Sequence, residues 1–133
     1  MQTVNWYMLN DILNPLGGSA DIDEMIYKYQ DVNSNNEVEI KQIILDKIKP
    51  YYEKKTEAYK VSLKRSLSFF LTTNKINFGK LYDSCLIAFD HPEEARNFFL
   101  WMWEILFPKE DYHIGSTENY REIENINEPN SYL

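Results

Sequence analysis

Apolar residues recur at helical spacing along most of this chain. In DIDEMIYKYQ, Ile22, Met25, Ile26 and Tyr29 fall at i, i+3, i+4 and i+7, one face of a helix. Asp21 can cap the first turn, and Glu24 three residues on completes a capping-box spacing. The same spacing recurs at Asn36/Glu39 and at Asp90/Glu93, which predicts two further helix starts. After Asn36, Ile40, Ile43, Ile44, Ile48 and Tyr51 hold one face until Pro50, which predicts a kink or a fresh start there. The next stripe, Tyr52, Thr56, Tyr59, Leu63, Leu67 and Phe70, predicts a helix running to about Leu71. TTNKIN reads as a polar loop.

Asn77 then opens a helix carrying Phe78, Leu81, Tyr82, Cys85, Leu86 and Phe89, and Asp90 closes it while capping the next, with Pro92 in the first turn. That last helix, NFFLWMWEILF, has a core stripe of Ala95, Phe98, Met102, Ile105 and Leu106. Phe99, Leu100, Trp101 and Trp103 add apolar surface on its other sides. Such a helix is either central in a bundle or carries an exposed patch, and the central position is the expectation. Residues 3–13 are apolar on most sides and predict a further helix, ended by Asn14-Pro15 and Gly17-Gly18. The resulting expectation is an all-α, single-domain bundle of about six helices over residues 1–133. Residues 109–133 form a polar, partly irregular tail, in which Tyr120, Ile123 and Ile126 recur every third residue and suggest a short docked helix.

Composition narrows the class. A chain of 133 residues that is 44% hydrophobic can bury a core without staples. The single cysteine, Cys85, excludes an internal disulfide framework and fits a reducing compartment. The N-terminus lacks the pattern of a secretory signal. The longest apolar run, 98–107, is too short for a bilayer, which needs about twenty residues. A cytoplasmic protein is expected. The net charge of −7 sits at the two ends. Residues 1–36 carry five acids against Lys28, and residues 109–133 carry six against Lys109 and Arg121, while the middle is nearly balanced. An acidic chain is a poor nucleic-acid binder, because such binding rests on neutralising phosphates. It suits a basic protein partner. Lys41, Lys47, Lys49, Lys54, Lys55, Lys60, Lys64 and Arg65 make the third and fourth helices locally basic, read as a solvated face with intervening acids.

The nearest approach to a motif is DVNSNNEVEIKQ at 31–42, with Asp31, Asn33 and Asn35 at the first, third and fifth positions of a calcium loop. Position twelve, which should offer a bidentate Glu, is Gln42, and position six, normally Gly, is Asn36. The stretch reads as an interhelical loop, with weak calcium binding the remaining alternative. Cys85 lies on an apolar face, as a structural thiol does. His91 and His113 lack metal-ligand spacing. The paired acids Asp21/Asp23/Glu24 and Glu93/Glu94 fall in expected first helical turns, where negative charge suits the helix dipole. No glycine-rich phosphate loop or nucleophile elbow is present. These readings argue for a binding protein that needs no cofactor or metal and is not an enzyme.

The stretch FGKLYDSCLIAFDHPEEARNFFLWMWEILF, followed by DYHIGSTENYREIENINEPNSYL, resembles the small helical immunity proteins that neutralise bacterial polymorphic and contact-dependent toxins. The likeness lies in size, acidity, aromatic content and a helix pair, and includes no motif from which a functional residue could be carried over. It implies one tight partner, a toxin domain in the same cell, blocked at or near its active site. The acidic ends would then meet a basic surface, such as the nucleic-acid cleft of a nuclease. The expected contacts are Asp111, Tyr112, Glu118, Tyr120, Glu122 and Glu124, with Asp21, Asp23 and Glu24 as a second patch. A helical regulator or scaffold, acting through a homodimer or partner groove at Trp101 and Trp103, is the second reading.

Overall fold

A computed structural model describes residues 1–17 and 22–132, with the backbone alone for Ile22, Asp23 and Met25. The chain opens with a strand, β1 (Gln2–Asn5), and only then enters helix α1 (Trp6–Ile12). Asn5 is the hinge between them: its extended backbone ends the strand, and its side chain accepts from the Tyr7 N–H to cap α1. The expected helix over 3–13 is therefore corrected to a strand followed by a helix. A short 3-10 turn (Asn14–Leu16) follows, then α2 (Ile22–Lys28) and α3 (Glu37–Ile43). Asn36 caps α3 as expected, its Oδ1 accepting from the Glu39 N–H at 3.1 Å.

α3 passes through a π turn (Ile44–Ile48) into α4 (Lys49–Glu53) without leaving the helix axis. Pro50 is the cause. It has no N–H to give to residue 46, and its ring crowds that carbonyl, so the ladder widens and the Lys49 N–H reaches back five residues to Ile44. Thr56 then caps the long helix α5 (Glu57–Thr73), which ends on Asn74 in the left-handed conformation. α6 (Phe78–Ser84) is capped by Asn77. α7 (Arg96–Leu106) follows an irregular segment.

Two expected boundaries fail here. α6 stops at Ser84 rather than at Asp90, and Asp90 caps nothing, since α7 begins at Arg96 without a side-chain cap. Burial explains the early stop. Tyr82 turns its hydroxyl to the Phe89 carbonyl at 2.9 Å, which draws the chain back across the ring. Leu86 takes a positive φ of 53° and stands 69% exposed, off the expected face.

The tail supplies β2 (Tyr120–Ile123), parallel to β1, with Gln2 opposite Tyr120 and Asn5 opposite Ile123. A final 3-10 turn spans Pro129–Ser131. The fold is thus mostly helical with two short parallel strands, which corrects the all-α expectation and replaces the expected tail helix with a strand. The core is arranged around α5, whose Tyr59, Leu63, Leu67 and Phe70 are buried as the stripe predicted, while its first members fall outside that helix, Tyr52 in α4 and Thr56 at the exposed cap. Against it lie Met8, Leu9 and Ile12 of α1, Ile40, Ile44 and Ile48 of the α3 rod, and Phe98, Phe99 and Met102 of α7. Each such side chain contributes about 1.5–3 kcal/mol.

Candidate partner interface

The tail is built onto α5 by a row of polar side chains, one ammonium and two hydroxyls. Lys64, Ser68 and Thr72 stand one turn apart on one face of that helix. Lys64 pairs with Glu110 at 2.5 Å. Ser68 Oγ and Thr72 Oγ1 both donate to the Tyr112 carbonyl, at 2.5 and 3.3 Å, and the Ile114 N–H donates to Thr72 Oγ1. From α7, Trp103 Nε1 donates to the Glu110 carbonyl at 2.7 Å. Arg96 Nη2 donates to the Tyr112 hydroxyl at 2.9 Å and to the Leu71 carbonyl at 2.8 Å. Residues 110–114 are therefore held at backbone and side chain alike.

A second anchor holds the end of the chain. Glu128 is only 8% exposed, and its carboxylate accepts from Asn5 Nδ2 at 2.8 Å, Ser62 Oγ at 2.7 Å and the Tyr132 hydroxyl. Asn5 Nδ2 also donates to the Asn125 carbonyl. Burial pushes the Glu128 carboxyl up, but the hydrogen bonds from Tyr132, Ser62 and Asn5, with the charge of Arg65, outweigh it and hold the group below its ordinary value. Asn5 and Glu128, 123 residues apart, tie the two ends together. Nothing in the hydropathy pattern marks Glu128. The signal available was on α5, where Ser62 and Ser66 interrupt an apolar neighbourhood and both prove buried.

Against this frame the expected contact residues divide. Asp111 is exposed, and the His113 N–H and ring nitrogen hold its carboxyl below the usual range. Glu118, Glu122 and Glu124 are exposed, with Glu122 3.8 Å from Lys75. Tyr112 and Tyr120 are half-buried and turned inward. Tyr112 stands edge-on to Trp103 with Arg96 over its ring, and Tyr120 stacks on Phe69 at 5.7 Å. The rings expected on the docking surface instead fasten the tail, because each gains more from a neighbouring aromatic than from water. In the second patch, Glu24 is exposed, Asp21 lies outside the described residues, and of Asp23 only the backbone is described. Trp101 and Trp103 are 7% and 3% exposed, so most of each ring is spent on the core and α7 takes the central position; Trp103 shows only an edge, in a groove beside β2.

Two open grooves border β2. One, of about 330 Å³, lies where both strands end and is lined by Trp6, Lys75, Ile76, Asn77, Lys80, Leu81, Ser84, Glu122 and Glu124. The other, of about 410 Å³, lies at the strand starts and brings Asp111 and Tyr120 together with Gln2, Val61, Lys64, Arg65, Ser68, Trp103 and Glu110. Five acids of the tail are exposed: Glu110, paired with Lys64, and Asp111, Glu118, Glu122 and Glu124, of which Asp111 borders one groove and Glu122 and Glu124 the other.

The other candidates have local roles. Asn33 Oδ1, Asn35 Oδ1 and Asn36 Oδ1 accept from the backbone N–H groups of Asn35, Glu93 and Glu39, and Glu39 accepts from the Asn33 N–H. Residues 31–36 are an interhelical loop and 37–42 belong to α3; the bond from the Glu93 N–H to Asn35 holds that acid before α7 rather than in its first turn. Cys85 receives the Asn10 amide at 3.4 Å, and burial pushes its thiol up to about 11. His91 stands edge-on to Tyr82. Among the described residues, no three His, Cys, Asp or Glu side chains gather as a metal-binding group, and no helix is long and apolar enough to cross a membrane. No family model, curated protein or solved structure matches the chain.

Proposed function

We propose that this chain is an immunity or inhibitor protein that binds and neutralises a cognate bacterial toxin domain with a basic surface. The observation that supports this reading is the set of exposed tail carboxylates Asp111, Glu118, Glu122 and Glu124, on a segment whose backbone is tied to α5 at Tyr112 and to β1 at 120–123. A backbone already ordered in the free protein loses little freedom on association, so electrostatic complementarity is gained without the cost of folding the segment. The surface is acidic rather than aromatic, since Tyr112 and Tyr120 serve the fold.

The test is binding to the toxin domain encoded by the neighbouring gene. Association should slow as salt rises, with dissociation little changed. Reversing two charges together, Glu118→Lys and Glu124→Lys, should slow association about tenfold at low salt without moving the thermal midpoint. A neighbouring protein that does not bind, or binding indifferent to salt and to the reversal, overturns the reading.

A further inference from the structure

The two-stranded sheet leaves one edge open. In the register observed, the Gln2 N–H donates to the Asn119 carbonyl at 2.8 Å, and Gln2 lies opposite Tyr120. In a parallel ladder this assigns the inward main-chain groups of β2 to Arg121 and Ile123. The far side of β1 obeys the same alternation, since the Thr3 carbonyl accepts from Arg65 and the Asn5 N–H donates to Ser66. The Tyr120 carbonyl and both main-chain groups of Glu122 consequently face away from β1. Among the described residues, neither main-chain group of Glu122 has a hydrogen-bond partner. β1, by contrast, has α5 on its far side, where Arg65 and Ser66 take the Thr3 carbonyl and the Asn5 N–H.

We propose that this edge of β2 is a docking rail, on which an extended, basic segment of a partner protein adds as a third strand. The inference rests on the inhibitor reading and names the way its partner would engage. Charge selects the occupant. Residues 118–124 carry Glu118, Glu122 and Glu124 against Arg121. Lys75 lies 3.8 Å from Glu122 in an exposed pair, so Glu118 and Glu124 remain to face lysines or arginines on the incoming strand. Charge also rejects a second copy of this chain. Antiparallel self-pairing through Tyr120 and Glu122 sets Arg121 opposite Arg121, or Glu122 opposite Glu122, or Glu122 opposite Glu118. Each of those pairs is repulsive. The groove at the end of β2, where Trp6, Ile76 and Leu81 line the wall, can receive an apolar side chain from the segment as it leaves the strand.

The probe is a capped peptide of alternating lysine and valine, followed by amide hydrogen exchange and by titration. In the free protein the Glu122 amide should exchange fast, with Arg121 and Ile123 protected. The peptide should slow Glu122 while leaving its two neighbours unchanged. Glu122→Pro removes the outward N–H at a position where an edge strand tolerates proline, and Glu122→Gln removes only the charge. Proline should cost at least about tenfold more affinity than glutamine. Should the proline variant lose its native circular dichroism, the peptide itself supplies the measurement: N-methylation of one alternate set of its amides should abolish binding and methylation of the other should not. Equal affinity of the two protein variants (or of the two methylated peptides), no binding at millimolar peptide, or dimerisation through β2 overturns the proposal. Toxin binding that survives Glu122→Pro removes the rail and leaves the inhibitor reading standing. Peptide capture at Glu122 by a protein that ignores its neighbour's product does the reverse.

Discussion

At the scale of single residues, Glu128 carries the most structure per side chain. Its ionised carboxylate is the acceptor for three donors from both ends of the chain and from α5. Because the folded group titrates below its ordinary value of 4.5, the stability it contributes is complete above that pH and is lost as pH falls through the lower folded value. Urea midpoints measured across this acid range should fall for the native chain and flatten for Glu128→Gln. At neutral pH that variant should lose about 1–3 kcal/mol, since an amide cannot accept from all three donors. Gly17 is a second such position. A Cβ there would lie 2.5 Å from the Cys85 carbonyl oxygen and 2.6 Å from that of Leu86, both backbone atoms. Gly17→Ala should destabilise by about 1–3 kcal/mol in thermal denaturation, with the irregular segment after α6 displaced first. Cys85, its thiol raised to about 11, should react with iodoacetamide far more slowly in the native chain than in urea at pH 8.

At the scale of elements, capping and the hydrophobic stripe agree where a helix is set by its own residues. Asn36, Thr56 and Asn77 each accept the N–H three residues on, and each opens a helix. Asn36→Ala should cost about 1 kcal/mol, read from chemical denaturation, and should loosen the bond from the Glu93 N–H to Asn35 Oδ1 that ties the loop to the approach of α7. The stripes of α5 and α7 were legible, as was a disturbance at Pro50, but the break between helices falls at 54–56 and Tyr52 and Thr56 lie outside α5. The end of α6 was not. Leu86 and Phe89 continue its helical period, but the Tyr82 hydroxyl and the close approach of Gly17 remove the chain from the helix. Asp90/Glu93 has the spacing of a capping box without a helix behind it, which shows how little a four-residue pattern constrains when the next turn is held elsewhere.

At the scale of the molecule, the tail is part of the fold. It covers α5, closes β1 and satisfies donors from Arg96, Trp103, Asn5 and Ser62. A chain ending at Phe107 should lose several kcal/mol of a typical total of about 5–15, and should bind a hydrophobic dye that the full chain does not. Full-length protein should unfold in one transition, with far-ultraviolet dichroism and tryptophan fluorescence coinciding. Separate transitions would show a tail that merely rests on the surface. The exposed acids were legible as the charge at the end of the chain. The division of those acids between the two ends of the sheet was not, and neither was the inward turn of Tyr112 and Tyr120.

Sequence alone determined the helical character, the faces of α3, α5 and α7, the caps at Asn36 and Asn77, and the acidity of the tail. Each of these depends on residues within about two turns of one another, where spacing is geometry. Tertiary structure alone decided that residues 2–5 are a strand, that residues 120–123 pair with it, and that Glu128 is buried. Those outcomes need partners more than a hundred positions apart. A four-residue strand has no period long enough to announce itself, and its free energy comes from a neighbour that only the folded chain provides.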